Sequence, residues 1–356
     1  MDDRRTLSLW WDQLDEAEAS RVRQPLTDDI TVDVCIVGAG YTGLWTAYWI
    51  QQLAPHLSIA ILEAEVAGFG ASGRNGGWAS ALFPASMDNM ADRVGPTRAR
   101  AMQDAMFENF GAMQEVIQTQ SIDCDWAAGG TVSLIRSEAQ RTRAVAEMDY
   151  WQKWGYGNEY YRLLGPAETD AALKAPETLG ALYTPYCARI QPAKLVRNLA
   201  RLIEKRGATI FENTAATVID RVTTTSTSAH VTAHWTVNAI EAWQSQHDAR
   251  SRIPVYSLMI ATEPLSPAVL DSIGLAKHET FADLRNLIIY GQRTADDRIA
   301  FGGRGAPYHW GSALHPRFDR HQRIHSLIHE VLIELLPQLE NSAITHPWGE
   351  IGRAHV

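Results

Sequence analysis

The sequence is poor in cysteine, has no long hydrophobic run and carries no basic surplus, and each lack removes a class of protein. Cys35, Cys124 and Cys187 are the only three cysteines in 356 residues. So few, so widely spaced, support neither a disulfide framework nor a thiolate zinc site, and they suit a reducing compartment. No apolar stretch reaches the roughly 20 residues of a membrane span, and the polar start Met1–Arg5 lacks the apolar core of a secretion signal. A cytoplasmic protein without a membrane partner is expected. The net charge of −9 leaves no basic patch dense enough to hold a nucleic-acid backbone. The chain also has no nucleophile elbow, no H-E-x-x-H and no P-loop lysine, so hydrolytic and phosphoryl-transfer motifs are missing.

What is present begins with length: 356 residues, 46% of them hydrophobic, can bury a large core and divide into two lobes. Residues 1–30 read as a docked polar arm bearing Trp10 and Trp11. Val32–Val37 is β-branched and apolar, Tyr41–Leu53 places apolar residues at helical spacing, and Ser58–Leu62 reads as a second buried strand ending in Glu63. That order makes a βαβ unit. Further helices are expected near Thr97–Gln118, over Pro192–Arg206 and over Pro316–Leu336, the last with an apolar stripe of Ile324, Leu327, Ile328, Val331 and Leu335. Strands are expected at Gly130–Ile135, Thr209–Phe211, Thr217–Val222, Pro254–Thr262, Leu287–Tyr290 and Arg298–Gly302. The expected organisation is an arm at 1–30, a nucleotide lobe from 31–90 and 190–250, and a substrate lobe from 91–189 and 251–345.

The turn Val37–Gly43 explains its own glycines. Gly38 permits the tight turn, Gly40 lets a phosphate approach the backbone, and Gly43 allows close packing of helix on strand. The helix start then offers unpaired amides and partial positive charge to a pyrophosphate. Glu63 stands 20 residues past Gly43, at a strand end, where its carboxylate can accept hydrogen bonds from ribose hydroxyls. NAD and FAD enzymes share this fingerprint. The loop Gly68–Gly77, with five glycines beside Ser72, Arg74 and Asn75, adds backbone amides able to wrap a larger cofactor. An NAD-dependent dehydrogenase gives that loop no role.

With these two glycine segments, Gln191–Leu195, Ala261–Leu265, Tyr290–Arg298 and Phe301–Gly305, the chain resembles the D-amino-acid oxidase and glycine/sarcosine oxidase superfamily, nearest to its γ-glutamylputrescine oxidoreductase-like members. The resemblance implies an α/β protein in which a Rossmann-like FAD-binding lobe is interleaved with an α+β substrate lobe built on a mixed or antiparallel sheet. It implies a non-covalently held FAD, oxidation of a C–N bond of a small amine or amino acid to an imine, and reoxidation by dioxygen or another acceptor. By the same resemblance Gly38, Gly40, Gly43 and Glu63 hold pyrophosphate and ribose, while Ser72, Gly73, Arg74, Asn75, Gly76 and Gly77 run toward the flavin ring. Two departures from the family pattern stand at Ala216 and Ile240. An NAD-dependent dehydrogenase and a non-catalytic flavin-binding protein are the competing readings.

Flavin chemistry on amines depends on positioning more than on an acid–base pair. Tyr290, Arg293 and Arg304 are the candidates for the substrate pocket, an aromatic wall and two guanidinium forks for a carboxylate. His321, His325 and His329 recur every four residues but lack a carboxylate in a ligand pattern, so no metal is expected. The aromatic run Tyr150–Tyr161 reads as core or lobe interface. At the end of the chain, Ile351–Val356 matches one reading frame of a common sequencing-library adapter where relatives continue into a strand, a glycine-rich turn and a helix. A truncated gene with an artefactual tail at 351–356, holding FAD poorly, is the expectation there.

Overall fold

The computed structural model describes residues 4–241, 243, 252–303, 305 and 308–355. At its centre lies the strand Ile30–Val37, whose last four residues are all buried. It is flanked in parallel by Ile59–Leu62 and His230–Asn238, with Thr209–Phe211 parallel beyond Ile59–Leu62. A strand covered on both faces must be apolar on both, which explains the continuous run Val34–Val37. The helices Tyr41–Leu53 and Pro192–Lys205 bring Leu44, Ala47, Leu195 and Leu199 into one core with Ile36, Ile61 and Ile210.

A second sheet has eight strands, ordered Ile344–His355, Arg252–Thr262, Ile299–Gly303, Ile289–Arg293, Thr280–Asp283, Thr131–Ile135, Gly180–Thr184 and Arg162–Leu164. Its pairings are antiparallel except that of Thr280–Asp283 with Thr131–Ile135. Leu258, Ile260, Phe281 and Phe301 on this sheet pack with Ile328, Leu332 and Leu335 of the helix Gln322–Leu335. A two-stranded ribbon, Trp78–Ser80 with Cys187–Arg189, follows the glycine loop. The result is the mixed α/β architecture expected from the sequence.

Several elements differ from their sequence reading. The single strand at Thr217–Val222 is two antiparallel strands, Ala216–Val218 and Val222–Thr225, because the chain reverses at Asp220, whose carboxylate takes the Arg221 amide at 2.7 Å. The helix over Pro316–Leu336 is a short turn, Pro316–Asp319, then an extended break at Arg320 and His321 before Gln322–Leu335. Arg74 holds Asp319 at 2.7 Å and so fixes the chain where a continuous helix would leave it. The buried face is rotated from the expected stripe: His325, Ile328, Leu332 and Leu335 are inside, and Leu327 is 45% exposed. His325 Nε2 lies 3.2 Å from the Trp348 carbonyl, and no group of His, Cys, Asp or Glu suited to a metal exists among the described residues. Trp151, Tyr156 and Tyr161 are buried in the core with Phe107, and the three cysteines are free and buried.

The N-terminal arm is tied down by buried charge. Glu212, 0% exposed, accepts the Arg23 amide and guanidinium, each at 2.7 Å, and the Ala67 amide at 2.9 Å. Arg197 lies 3.4 Å from the same carboxylate and donates to the Ala67 carbonyl at 3.3 Å. Removing one partner of such a cluster strands the other charges in the interior. Glu212→Ala should therefore cost about 3–5 kcal/mol in urea unfolding. Glu138→Gln breaks the exposed pair with Arg141 at 3.4 Å and should cost no more than about 1 kcal/mol.

Candidate cofactor-binding and active site

A cavity of about 310 Å³ opens at the tip of the Ile30–Val37 strand, and Gly38, Gly40, Glu63, Ser72, Ile240 and Trp243 are among the residues lining it. Each glycine of the first turn has a steric reason. Gly38 has φ +106°, and a Cβ there would sit 2.6 Å from the Ala239 carbonyl oxygen. At Gly43 a Cβ would strike the Gly38 carbonyl, so helix and turn could not close. Gly40 differs, because a Cβ there meets only the Ser72 hydroxyl, at 2.9 Å, on the cavity side. Ser72 Oγ accepts the Tyr41 amide at 2.9 Å, which ties the second glycine loop to the start of the helix.

Glu63 is fixed by the same turn. One carboxylate oxygen accepts the Ala39 amide at 2.8 Å and the other accepts the Glu65 amide at 3.0 Å. Burial pushes its pKa up to about 7, with the Glu212 and Glu65 charges adding to the rise and the two amides opposing it. A partner that donates hydrogen bonds to the charged form, as ribose hydroxyls do, reverses that burden.

The first half of the second loop, Gly68–Ser72, lines the cavity, and the second half supports it. Arg74 is 2% exposed, pairs with Asp319 at 2.7 Å, and lies 5.2 Å from the Phe69 ring centroid. Asn75 closes the loop on itself, its amide donating to the Ala71 and Ser72 carbonyls at 3.1 and 3.2 Å and its oxygen accepting the Gly77 amide at 2.9 Å. A Cβ on Gly73 would strike the Gly68 carbonyl. On Gly76 it would lie 2.6 Å from the Tyr290 ring, and Gly77, at φ +71°, faces Gln292. Gln292 donates to the Gly76 and Gly77 carbonyls at 2.8 and 3.0 Å.

The three substrate candidates part company. Tyr290 lies against the loop, edge-on to Trp78 with ring centroids 6.1 Å apart. Arg293 donates to Asp297 from two nitrogens at 2.9 and 2.6 Å, so its fork is engaged within its own hairpin. Arg304 lies outside the described residues. Sequence reasoning passed over Gln292 and Trp243, and set aside Ala216 and Ile240, which line the cavity. Placing His230–Asn238 beside Ile30–Val37 would have found Ile240, since ligands bind at the carboxyl ends of parallel strands.

A helix start open to a cavity, an acid at the next strand tip and a glycine loop running on along the same wall define a dinucleotide-binding flavoprotein fold. The glycine cradle and the acid fit FAD. The chain matches the DAO family, described as FAD dependent oxidoreductase, over residues 33–351 and belongs to that family. It is 29% identical over 330 residues to γ-glutamylputrescine oxidoreductase of Escherichia coli, covering 91% of this chain and 74% of that one. In fold it is similar to glycine oxidase from Geobacillus kaustophilus, with TM-score 0.70, 20% identity and coverage of 92% and 84%. It is similar as well to L-proline dehydrogenase from P. horikoshii, with TM-score 0.72, 15% identity and coverage of 92% and 82%. FAD, not NAD, is the cofactor, and the enzyme class is oxidoreductase.

The raised pKa of Glu63 gives a signed prediction. Without cofactor the protonated acid is favoured, so stability falls as pH rises from the unfolded acid range through about 7. Ribose hydroxyls favour the carboxylate, so binding releases a proton and FAD affinity should rise between about pH 5.5 and pH 8. Fluorescence titration of FAD should show this slope in the wild type and a flat profile in Glu63→Gln. Glu63→Ala should weaken retention by about 1.5–3 kcal/mol.

Proposed function

We propose that this chain oxidises the C–N bond of a small amine or amino acid, a γ-glutamyl-polyamine or a related molecule, to an imine that water then hydrolyses. The observation that carries the reading is the anchoring of the glycine loop to the second sheet, with Tyr290 on Gly76 and Gln292 on the Gly76 and Gly77 carbonyls. It sets an aromatic pair, Trp78 and Tyr290, at the end of the loop remote from Glu63. The identity to γ-glutamylputrescine oxidoreductase supports the amine.

FAD, when bound, supplies the two-electron acceptor for the hydride leaving the amine-bearing carbon, with dioxygen or another acceptor restoring it. The chain's residues do the positioning. Gly38 and Gly40 leave backbone open to the pyrophosphate, Gly43 and Gly73 let the elements close, and Glu63 takes the ribose. Ser72, Arg74, Asn75, Gly76 and Gly77 hold the loop in shape toward the ring. Trp78 and Tyr290 exclude water from the substrate side, favouring a neutral, desolvated amine. Arg304 serves as the carboxylate fork, and Arg293 stiffens its own hairpin through Asp297. The lobes divide as 31–90 with 190–250 for the cofactor and 91–189 with 251–345 for the substrate, supported by the two separate sheets. A cytoplasmic site of action agrees with three free, buried cysteines and with the lack of any membrane-spanning helix among the described residues.

The test is anaerobic titration of the FAD-loaded protein with γ-glutamylputrescine, glycine, L-proline and putrescine, followed by absorbance. At least one amine should bleach the flavin, and admitting air should restore colour if dioxygen is the acceptor. Retained flavin that no amine bleaches would instead indicate a non-catalytic flavin carrier. Arg304→Lys should raise KM for carboxylate-bearing substrates about tenfold more than for plain amines, because lysine lacks the planar fork. Equal losses for both would assign Arg304 a structural role.

A further inference from the structure

Arg189 ends the ribbon strand Cys187–Arg189 and is only 6% exposed. Its backbone is fully used, the N–H donating to the Ala127 carbonyl at 2.9 Å and the carbonyl accepting the Ala127 N–H at 3.0 Å. Its guanidinium is not: Nε and Nη1 are buried and have no hydrogen-bond partner among the described residues. Buried donors left so are rare because each forfeits its hydration without return, and for a cation the loss is larger.

The ionisable groups that act on Arg189 are Asp125, Arg293, Cys124 and Asp296; burial pushes the Cys124 thiol up and keeps it neutral, and each of the other three is matched elsewhere. Arg293 pairs with Asp297 at 2.6 Å, Asp296 with Arg298 at 2.8 Å, and Asp125 with Lys194 at 2.8 Å. Lys194 also reaches the exposed Asp123 at 3.3 Å. His278 adds no charge, since burial and the positive charges of Arg189 and Arg293 hold its pKa below the usual range. The named charges balance in number, with Lys194 set between two carboxylates, but no acceptor among the described residues meets the Arg189 Nε and Nη1 atoms, and Arg cannot shed its proton to escape that cost. Nε and Nη1 call for an acceptor with lone pairs toward both, and a small anion supplies them in charge-assisted hydrogen bonds.

We propose that Arg189 is the centre of a binding site for a small monovalent anion, a halide or a carboxylate group. The site lies between the ribbon, the 123–127 segment and the turn at 294–298, and Arg189 is not among the residues lining the cofactor cavity. It is independent of which amine the enzyme oxidises.

Thermal unfolding of the full, FAD-loaded chain at constant ionic strength tests this, in sodium gluconate, whose anion is too bulky to enter, against chloride and against acetate. The wild type should gain about 2–5 °C in Tm, saturating with concentration, in chloride or acetate. A response to chloride alone identifies a halide site, and a response to acetate alone identifies a carboxylate site. Arg189→Met should lose the response while melting no lower than wild type in gluconate, because two unpaired buried donors are gone. Equal Tm in all three salts, or an undiminished response in Arg189→Met, overturns the proposal. Should Arg189→Met fail to fold, the wild type decides: a saturable gain supports the site, and a linear or absent one overturns it.

Discussion

The carboxylate of Glu212 is the point from which the cofactor side of the molecule is built. A carboxylate at 0% exposure is tolerable only with its lone pairs filled, and here the Arg23 amide and guanidinium, the Ala67 amide and Arg197 fill them. Those donors come from the N-terminal arm, from the segment entering the glycine loop and from the helix Pro192–Lys205. One acid thus fixes three separate pieces of chain. Ala67 so held sets Gly68 at φ +85°, where a Cβ would collide with Val196, and the loop that follows starts from a fixed position and direction. The arm continues the same task farther along, where the Trp10 indole donates to the Asn75 carbonyl at 2.8 Å.

From that fixed start the two glycine segments do different work. In the first, Gly38 and Gly43 are glycine because backbone lies against them, and Gly40 because the cavity does. In the second, Gly73, Gly76 and Gly77 are glycine because carbonyls and the side chains of Tyr290 and Gln292 press on them. Two of the three glycines in the first turn serve the packing of backbone on backbone, and those of the second loop serve the joint between the two sheets. That joint fixes where the Trp78–Tyr290 pair stands relative to the glycine loop.

How much of this the sequence disclosed follows from how local each cause is. The βαβ unit was legible because its strand is apolar on both faces, its glycines sit at fixed offsets and Glu63 is near in sequence. The helix Pro192–Lys205 was legible from its initial proline and apolar face. His230–Asn238 was passed over although His230, Thr232, His234 and Thr236 alternate with Val231, Ala233, Trp235 and Val237, the period of a strand; its outer half is exposed, yet its backbone pairs along the whole of Ile30–Val37. The break at Arg320 and His321 depends on Arg74, more than two hundred residues away, and no periodicity reports that. Arg293 read as a free fork because its partner, Asp297, looked like an ordinary turn residue. Gln292, with an uncharged amide inside a strand, offered no signal at all, yet it carries the contact between loop and sheet.

The electrostatics of the cavity complete the account of cofactor choice. Glu63, Glu65 and Glu241 line it, and no Lys, Arg or His does among the described residues. A pyrophosphate brought there meets no side-chain cation, so its charge has to be met by backbone amides and the partial positive end of the helix Tyr41–Leu53. Such donors are fixed in direction and contribute only where the phosphate sits close, which is why the second glycine must stay bare. Carboxylates in general disfavour a ribose phosphate and can accept from ribose hydroxyls.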